Sequence, residues 1–271
     1  MAGLPPCDSE IYGRFARARR VWAVGAIHAE AHRLVALHAR LAPKLNIGDR
    51  LVYLGNYLGY GPAAAATLDA LIMFRRLFLA RRNAFIGDIA FLRGSQEEMW
   101  QKLLELQFAP NPREVLPWML EHGVDKTLAS YGIDVRQGLA ASRDGVLALT
   151  RWTGTLRAAL EARSGHRALL NNLRRAAFTD DGKLLFVHAG VDANKPLDLQ
   201  GDIFWWCDKD ILQLNAPFAG YRSVVRGVDR NRAGIVDTAY AASIDAGCGF
   251  GGPLVAACFA LDGSIVDRIE A

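Results

Sequence analysis

Between Gly55 and Gly61 the side chains able to do chemistry are one amide, Asn56, and two phenolic hydroxyls, Tyr57 and Tyr60. All three can make hydrogen bonds, but none carries a charge at neutral pH. Cys248 lies in Ala246-Gly-Cys-Gly-Phe250, a setting that could expose a thiol, yet no His or Asp is visibly paired with it. A small buried cysteine is the simpler reading. Arg222 and Arg226 are of a residue type that can hold an anion bidentately, though two arginines alone do not define a site. His32, His38, His122 and His166 fall in polar helical surroundings and read as surface residues.

The elements that position these groups alternate. Val21 to Val24 is an apolar run, and Leu34, Val35, Leu37 and Leu41 repeat at helical spacing after it. Leu51 to Leu54 has the composition of a buried strand, and the glycines that follow let the chain turn sharply into a helix from Pro62 to about Ala80. Asn83 to Ile86 is expected to begin a third such unit. Strand, loop and helix in alternation point to an α/β layered fold, whose ligands collect at the carboxyl ends of strands. From Ser95 to about Leu173 the pattern is helical, broken by Pro110, Pro112 and Pro117. Beyond it come the β-type runs Leu184 to Val187, Ser223 to Val225 and Leu254 to Phe259. The last is followed by an Asp262-Gly263 turn and a run from Ser264 to Ile269, a hairpin signal. Neither a repeat nor a linker divides residues 1–271, so one domain with a helical insertion at about 95–173 is expected.

Leu51-Val-Tyr-Leu-Gly-Asn-Tyr-Leu-Gly-Tyr-Gly-Pro62 resembles the second motif, G-D-x-x-D-R-G, of the bacterial phosphoprotein phosphatases, a branch of the calcineurin-like metallophosphoesterases. Other stations follow in order. Gly25-Ala-Ile-His-Ala29 stands for G-D-x-H-G, Ile86-Gly-Asp-Ile-Ala90 for R-G-N-H-E, and Ser223-Val-Val-Arg-Gly-Val228 for a strand ending in G-H. Leu184-Leu-Phe-Val-His-Ala-Gly190 keeps its strand and H-A-G unchanged. Thr127-Leu-Ala-Ser-Tyr-Gly132 and Ile244-Asp-Ala-Gly-Cys248 also resemble stretches of the bacterial subgroup. The resemblance implies central β-sheets flanked by helices, with the helical insertion beside the site.

It also implies a site whose chemistry has been edited. Enzymes of this family use two metal ions that activate a bridging water and clamp the phosphate. The first ligand carboxylate falls on Ala26, the bridging carboxylate on Asn56, and the last histidine ligand on Val228. The general acid falls on Ile89, the aspartate that orients it on Gly59, and the phosphate-clamping arginines on Tyr60 and Ile86. His28, Asp88 and His188 remain as donors. Two dications beside one carboxylate would leave buried charge uncompensated, at a cost of several kcal/mol per ion. One weakly bound Zn²⁺ or Mn²⁺ on His28, Asp88 and His188, with the Asn56 oxygen as a further candidate ligand, is the most the set implies, and the alternative is that the two histidines are hydrogen-bonded core.

The chain has 271 residues and a formal charge of +4 spread over Arg-rich helix faces, which gives no support to nucleic-acid binding. Cys7, Cys207, Cys248 and Cys258 lack zinc-site spacing and fit reduced thiols. Without a secretory h-region or a run of ~20 apolar residues, a cytoplasmic protein with no transmembrane segment is expected. The reading is a pseudophosphatase acting as a binding or scaffold protein. The alternatives are a divergent one-metal phosphoesterase and a protein that binds a phosphorylated ligand without turnover. In the helix from Pro62, apolar residues run past one face, so Met73, Phe74 and Leu77 are expected to form an interface with a partner or a second copy, unless the helical insertion covers them.

Overall fold

The computed structural model describes residues 11–271. Strand β1 is Tyr12–Phe15 and β2 is Arg20–Val24; helix α1, Ala31–Leu41, leads to β3, Asp49–Tyr53, and α2, Ala64–Leu79. Strand β4, Ile89–Phe91, opens onto the helical stretch: α3 (Ser95–Leu104), α4 (Pro112–Met119), α5 (Asp125–Ser130), α6 (Val135–Asp144), α7 (Val146–Glu161) and α8 (His166–Asn171). Strands β5 (Ala176–Thr179) and β6 (Leu184–Val187) follow, then the short helix α9 (Ile203–Trp206) and β7 (Ser223–Arg226). Strands β8 (Gly234–Asp237) and β9 (Ala241–Asp245) precede the expected hairpin of β10 (Val255–Ala260) and β11 (Ile265–Glu270).

Two mixed sheets form, in the orders β1-β5-β6-β7-β9-β8 and β11-β10-β2-β3-β4. Alternate residues point to opposite faces, so each strand serves two layers. Val21, Ala23, Val52 and Leu54 pack inward on Leu184, Phe186, Val225 and Ile244 of the other sheet. Trp22, Val24, Leu51 and Tyr53 point the other way, into the large core under the helices. The outer face of the six-stranded sheet is covered by a thinner cluster with Phe204 and Trp205. No helix among the described residues is long and apolar enough to cross a membrane.

Two sequence expectations are corrected here. The third strand is not Asn83 to Ile86: Asn83 turns through φ 57°, Ile86–Asp88 is a single 3₁₀ turn, and the strand is Ile89–Phe91, in parallel register with Leu51–Tyr53. Phe85 and Ile86 imitate a strand by being apolar, yet they are 68% and 72% exposed. Phe74 is core: it is 4% exposed and stacks on His38 at 3.9 Å, whereas Met73 and Leu77 stand 54% and 58% exposed.

Candidate functional site

The carboxyl ends of β2, β3, β4, β6 and β7 converge on one cavity of about 400 Å³, lined among others by His28, Asn56, Ser95, Gln96, Arg226 and Val228. The loops that reach it are tied to one another through main chain. The Asn56 carbonyl accepts the N–H groups of Ile27 at 3.1 Å and His28 at 2.6 Å, and the Ala26 N–H donates to the Gly227 carbonyl at 3.1 Å. The Gly227 and Val228 N–H groups both donate to the His188 carbonyl at 3.0 Å. Three non-glycine residues here sit in the left-handed region, His28 (φ 50°), Ala29 (φ 60°) and Asn56 (φ 54°). Such conformations cost on the order of 1–3 kcal/mol each and persist only where the surroundings over-determine them.

At Asn56 that determination comes from Glu97, a residue that no motif in the sequence analysis marks. Buried in the first turn of α3, its carboxylate accepts N–H groups from Asn56 (2.8 Å), Tyr57 (2.7 Å), Leu58 (3.1 Å) and Gly94 (2.9 Å). The acid is clamped to the loop after β3, and it re-sets the third station. The loop leaving β4 reads Arg93-Gly-Ser-Gln-Glu97, which agrees with R-G-N-H-E at Arg, Gly and Glu. Counted along that motif, the ligand place falls on Ser95 and the acid place on Gln96. Asp88, Ile89 and Ile86 lie before or at the start of β4, away from these strand ends. Asp88 ion-pairs with Arg50 at 3.1 Å and accepts the Phe85 N–H at 3.0 Å, so its carboxylate is engaged outside the cavity and does not join His28 and His188.

Asn56 is oriented by its neighbours. Its side-chain oxygen accepts the Gln96 N–H at 3.0 Å and the Ser95 hydroxyl at 3.1 Å, which leaves the NH₂ group 3.5 Å from Nε2 of His28. His188 donates from Nδ1 to the Leu54 carbonyl at 2.6 Å, leaving Nε2 buried with no partner. Burial pushes His188 down to about 4, and burial followed by the nearby His188 pushes His28 down to about 3. Both rings are thus neutral at physiological pH. His28 meets Tyr60 and Phe250 edge-on at 5.4 and 5.2 Å, and the Arg232 guanidinium lies 3.5 Å over Phe250.

The opposite wall is charged and internally matched. Arg226, read from sequence as an anion holder, already pairs with Asp229 at 2.9 Å and Asp210 at 3.1 Å. Asp245 accepts the Asp229 N–H at 2.9 Å, and burial raises its pKa. Asp208, Asp210, Asp229 and Asp245 face Lys209, Arg226, Arg230 and Arg232 across the same lining, so formal charges cancel. Arg222 is exposed and bonds the Asp262 carbonyl instead. Cys248 is buried, donates to the Ile27 carbonyl at 3.2 Å and is pushed up to about 12 by burial, a structural thiol. His38 and His166 are not surface residues: His38 bonds the Tyr53 hydroxyl at 2.7 Å, and His166 lies between the Tyr131 hydroxyl (2.7 Å) and Asp69 (2.9 Å).

These donors do not fit the pair of metal ions that the fold implies. Where two ions would share a carboxylate, Asn56 presents NH₂ and turns its oxygen away. Ala26 and Val228 offer no donor atom, and no cluster of three or more His, Cys, Asp or Glu suited to a metal occurs among the described residues.

Solved structures share this architecture. A candidate diadenosine tetraphosphatase matches with a TM-score of 0.56 at 19% identity, over 97% of this chain and 98% of its own. A protein serine/threonine phosphatase from Saccharomyces cerevisiae, similar to human phosphatase PP5, gives 0.53 at 11% identity over 97% and 82%. A cold-active protein-tyrosine phosphatase from a psychrophilic Shewanella gives 0.55 at 11% identity over 95% and 82%. The fold is that of the calcineurin-like metallophosphoesterases. No family model matches the sequence, and no curated protein matches it.

Proposed function

We propose that this protein is a pseudophosphatase, a binding or scaffold protein built on a metallophosphoesterase fold. The observation that carries the reading is the set of contacts around Asn56. An amide whose oxygen is held by the Gln96 N–H and the Ser95 hydroxyl supplies neither charge nor a free lone pair where a bridging carboxylate would be needed. The acid position carries Gln96, whose amide donates a hydrogen bond to the His122 carbonyl but has no ionisable proton to transfer. Losing one acid or oxyanion group costs about 10² to 10⁴ in rate, and here the acid and the metal ligands are altered together. The cavity of about 400 Å³ is lined by hydrogen-bonding side chains, which suits holding a ligand without turnover.

The purified protein is expected to hydrolyse p-nitrophenyl phosphate and phosphopeptides no faster than buffer in Mn²⁺, Zn²⁺, Fe²⁺ or Mg²⁺. The unpartnered Nε2 of His188 favours one second reading, a divergent phosphoesterase with a single weakly held Zn²⁺ or Mn²⁺ on His28 and His188. Metal-dependent turnover that disappears in His188→Ala would establish that reading and end the first.

A further inference from the structure

Strand β4 is the outermost strand of its sheet, with β3 on one side. On the other side a single residue has been added to it. The Arg174 N–H donates to the Phe91 carbonyl at 2.8 Å, and the Arg93 N–H donates to the Arg174 carbonyl at 2.8 Å, the pattern of one residue of a parallel strand. The chain reaches Arg174 from α8, which ends at Asn171, so no other described residue takes up that strand position. Edge groups alternate in direction, so the Ile89 carbonyl and the Phe91 N–H point the same way one step earlier. They open into a groove of about 670 Å³.

The groove has an apolar floor, with Ile72, Phe91 and Leu169, and a cationic rim of Arg14, Arg75 and Arg76; no Asp or Glu stands among its described lining residues. Asp88, next to it in sequence, is consumed by Arg50. It shares no lining residue with the strand-end cavity. We infer that this groove docks an extended acidic segment of a partner protein, laid on β4 as an added strand in line with Arg174. The segment's main chain would pair with the Ile89 carbonyl and the Phe91 N–H, its apolar side chains would cover the floor, and its carboxylates would meet the arginines. Nothing in it depends on whether the cavity turns over a phosphoester.

The test uses a fluorescein-labelled Glu-Val-Glu-Val-Glu-Val peptide and its Lys-Val counterpart, followed by fluorescence anisotropy with the full chain. The acidic peptide is expected to bind at least about tenfold more tightly and to weaken as salt is added. It should also slow hydrogen exchange at the Phe91 amide, and Arg75→Ser with Arg76→Ser should lower its affinity about tenfold or more at unchanged melting temperature. Equal affinity for the two peptides overturns the inference, and so does parental affinity in the arginine variant. Complete displacement by inorganic phosphate without protection of the Phe91 amide would show a small-anion site only, which also overturns it. The peptide comparison, salt dependence and exchange measurement are made on the unaltered protein, so they decide the matter even if the variant does not fold.

Discussion

Gly59 lies against Gln96: a Cβ added to the glycine would stand 2.6 Å from the Gln96 side-chain carbonyl carbon, on a backbone already at φ 109°. The two positions face each other as an orienting carboxylate and its acid would. Replacing Gly59 with aspartate alone is therefore expected to displace Gln96, and a working pair requires both sides of the contact to change.

Rebuilding the donors makes the corresponding prediction for metal. Ala26→Asp, Asn56→Asp, Ser95→Asn and Val228→His together are expected to raise Mn²⁺ or Zn²⁺ uptake from at most one weak ion toward two per chain, read by isothermal titration calorimetry and elemental analysis. Asn56→Asp is nearly isosteric and keeps an oxygen for the Gln96 N–H. A folded variant that takes up no more metal than its parent would show that the loops have left the geometry the ions need.

Glu97 holds the loop after β3. Its carboxylate serves four main-chain donors, and three of them belong to the loop from Asn56 to Leu58. Glu97→Ala strands them in the interior, where each unsatisfied group costs about 1–3 kcal/mol. A loss of at least ~3 kcal/mol in urea unfolding is expected, with a smaller loss for Glu97→Gln, which keeps one acceptor oxygen. Unchanged stability in Glu97→Ala would mean that the left-handed residues His28 and Asn56 are held by something else.

The strands that frame the site were legible because β2, β3, β6 and β7 are buried on both faces and read as continuous apolar runs. His28, Asn56, His188 and Val228 could be placed at their ends for the same reason. Ile86-Gly-Asp88 imitates the third station because it offers a glycine beside a ligand-type carboxylate, whereas the loop that lines the cavity at the end of β4 carries Ser95 and Gln96, neither a strong ligand. The literal Arg93-Gly94 and Glu97 are the signal the sequence carries, and Glu97 receives main-chain donors, a role that no ligand or acid pattern marks. The burial of His38 and His166 depends on hydroxyls 15 and 35 residues away, Tyr53 and Tyr131, which helical periodicity does not reveal.

Buried neutral histidine makes the fold acid-sensitive. Burial pushes His38 down from 6.5 to about 3. Between those values the unfolded chain binds the proton and the folded chain does not, so stability is fully present above pH 6.5 and is lost as pH falls toward 3. The slope is about 1.4 kcal/mol per pH unit for each such group. His38→Gln keeps a partner for the Tyr53 hydroxyl and removes the titration. Its stability, measured by urea unfolding from pH 6 to pH 4, is expected to fall less steeply than the parent's by about that amount per unit. Parallel pH profiles would show that His38 is protonated in the folded state.

Helix α2 separates core from surface within one turn. Phe74 is packed on His38, while Met73 and Leu77, one turn apart, project outward as an apolar pair that no other part of the described chain covers by more than half. Phe74→Ala is expected to cost about 3–5 kcal/mol, as large-to-small changes in a core do. Met73→Glu with Leu77→Glu should leave the melting temperature within about 2–4 °C of the parent, because exposed substitutions fall within roughly ±0.5 kcal/mol each. If the pair is a contact with a second copy, sedimentation velocity will show the double variant shifted to a smaller species at the same concentration. An unchanged distribution of species would exclude a contact with a second copy, and a lowered melting temperature without such a shift would place Met73 and Leu77 in a contact that the chain makes with itself.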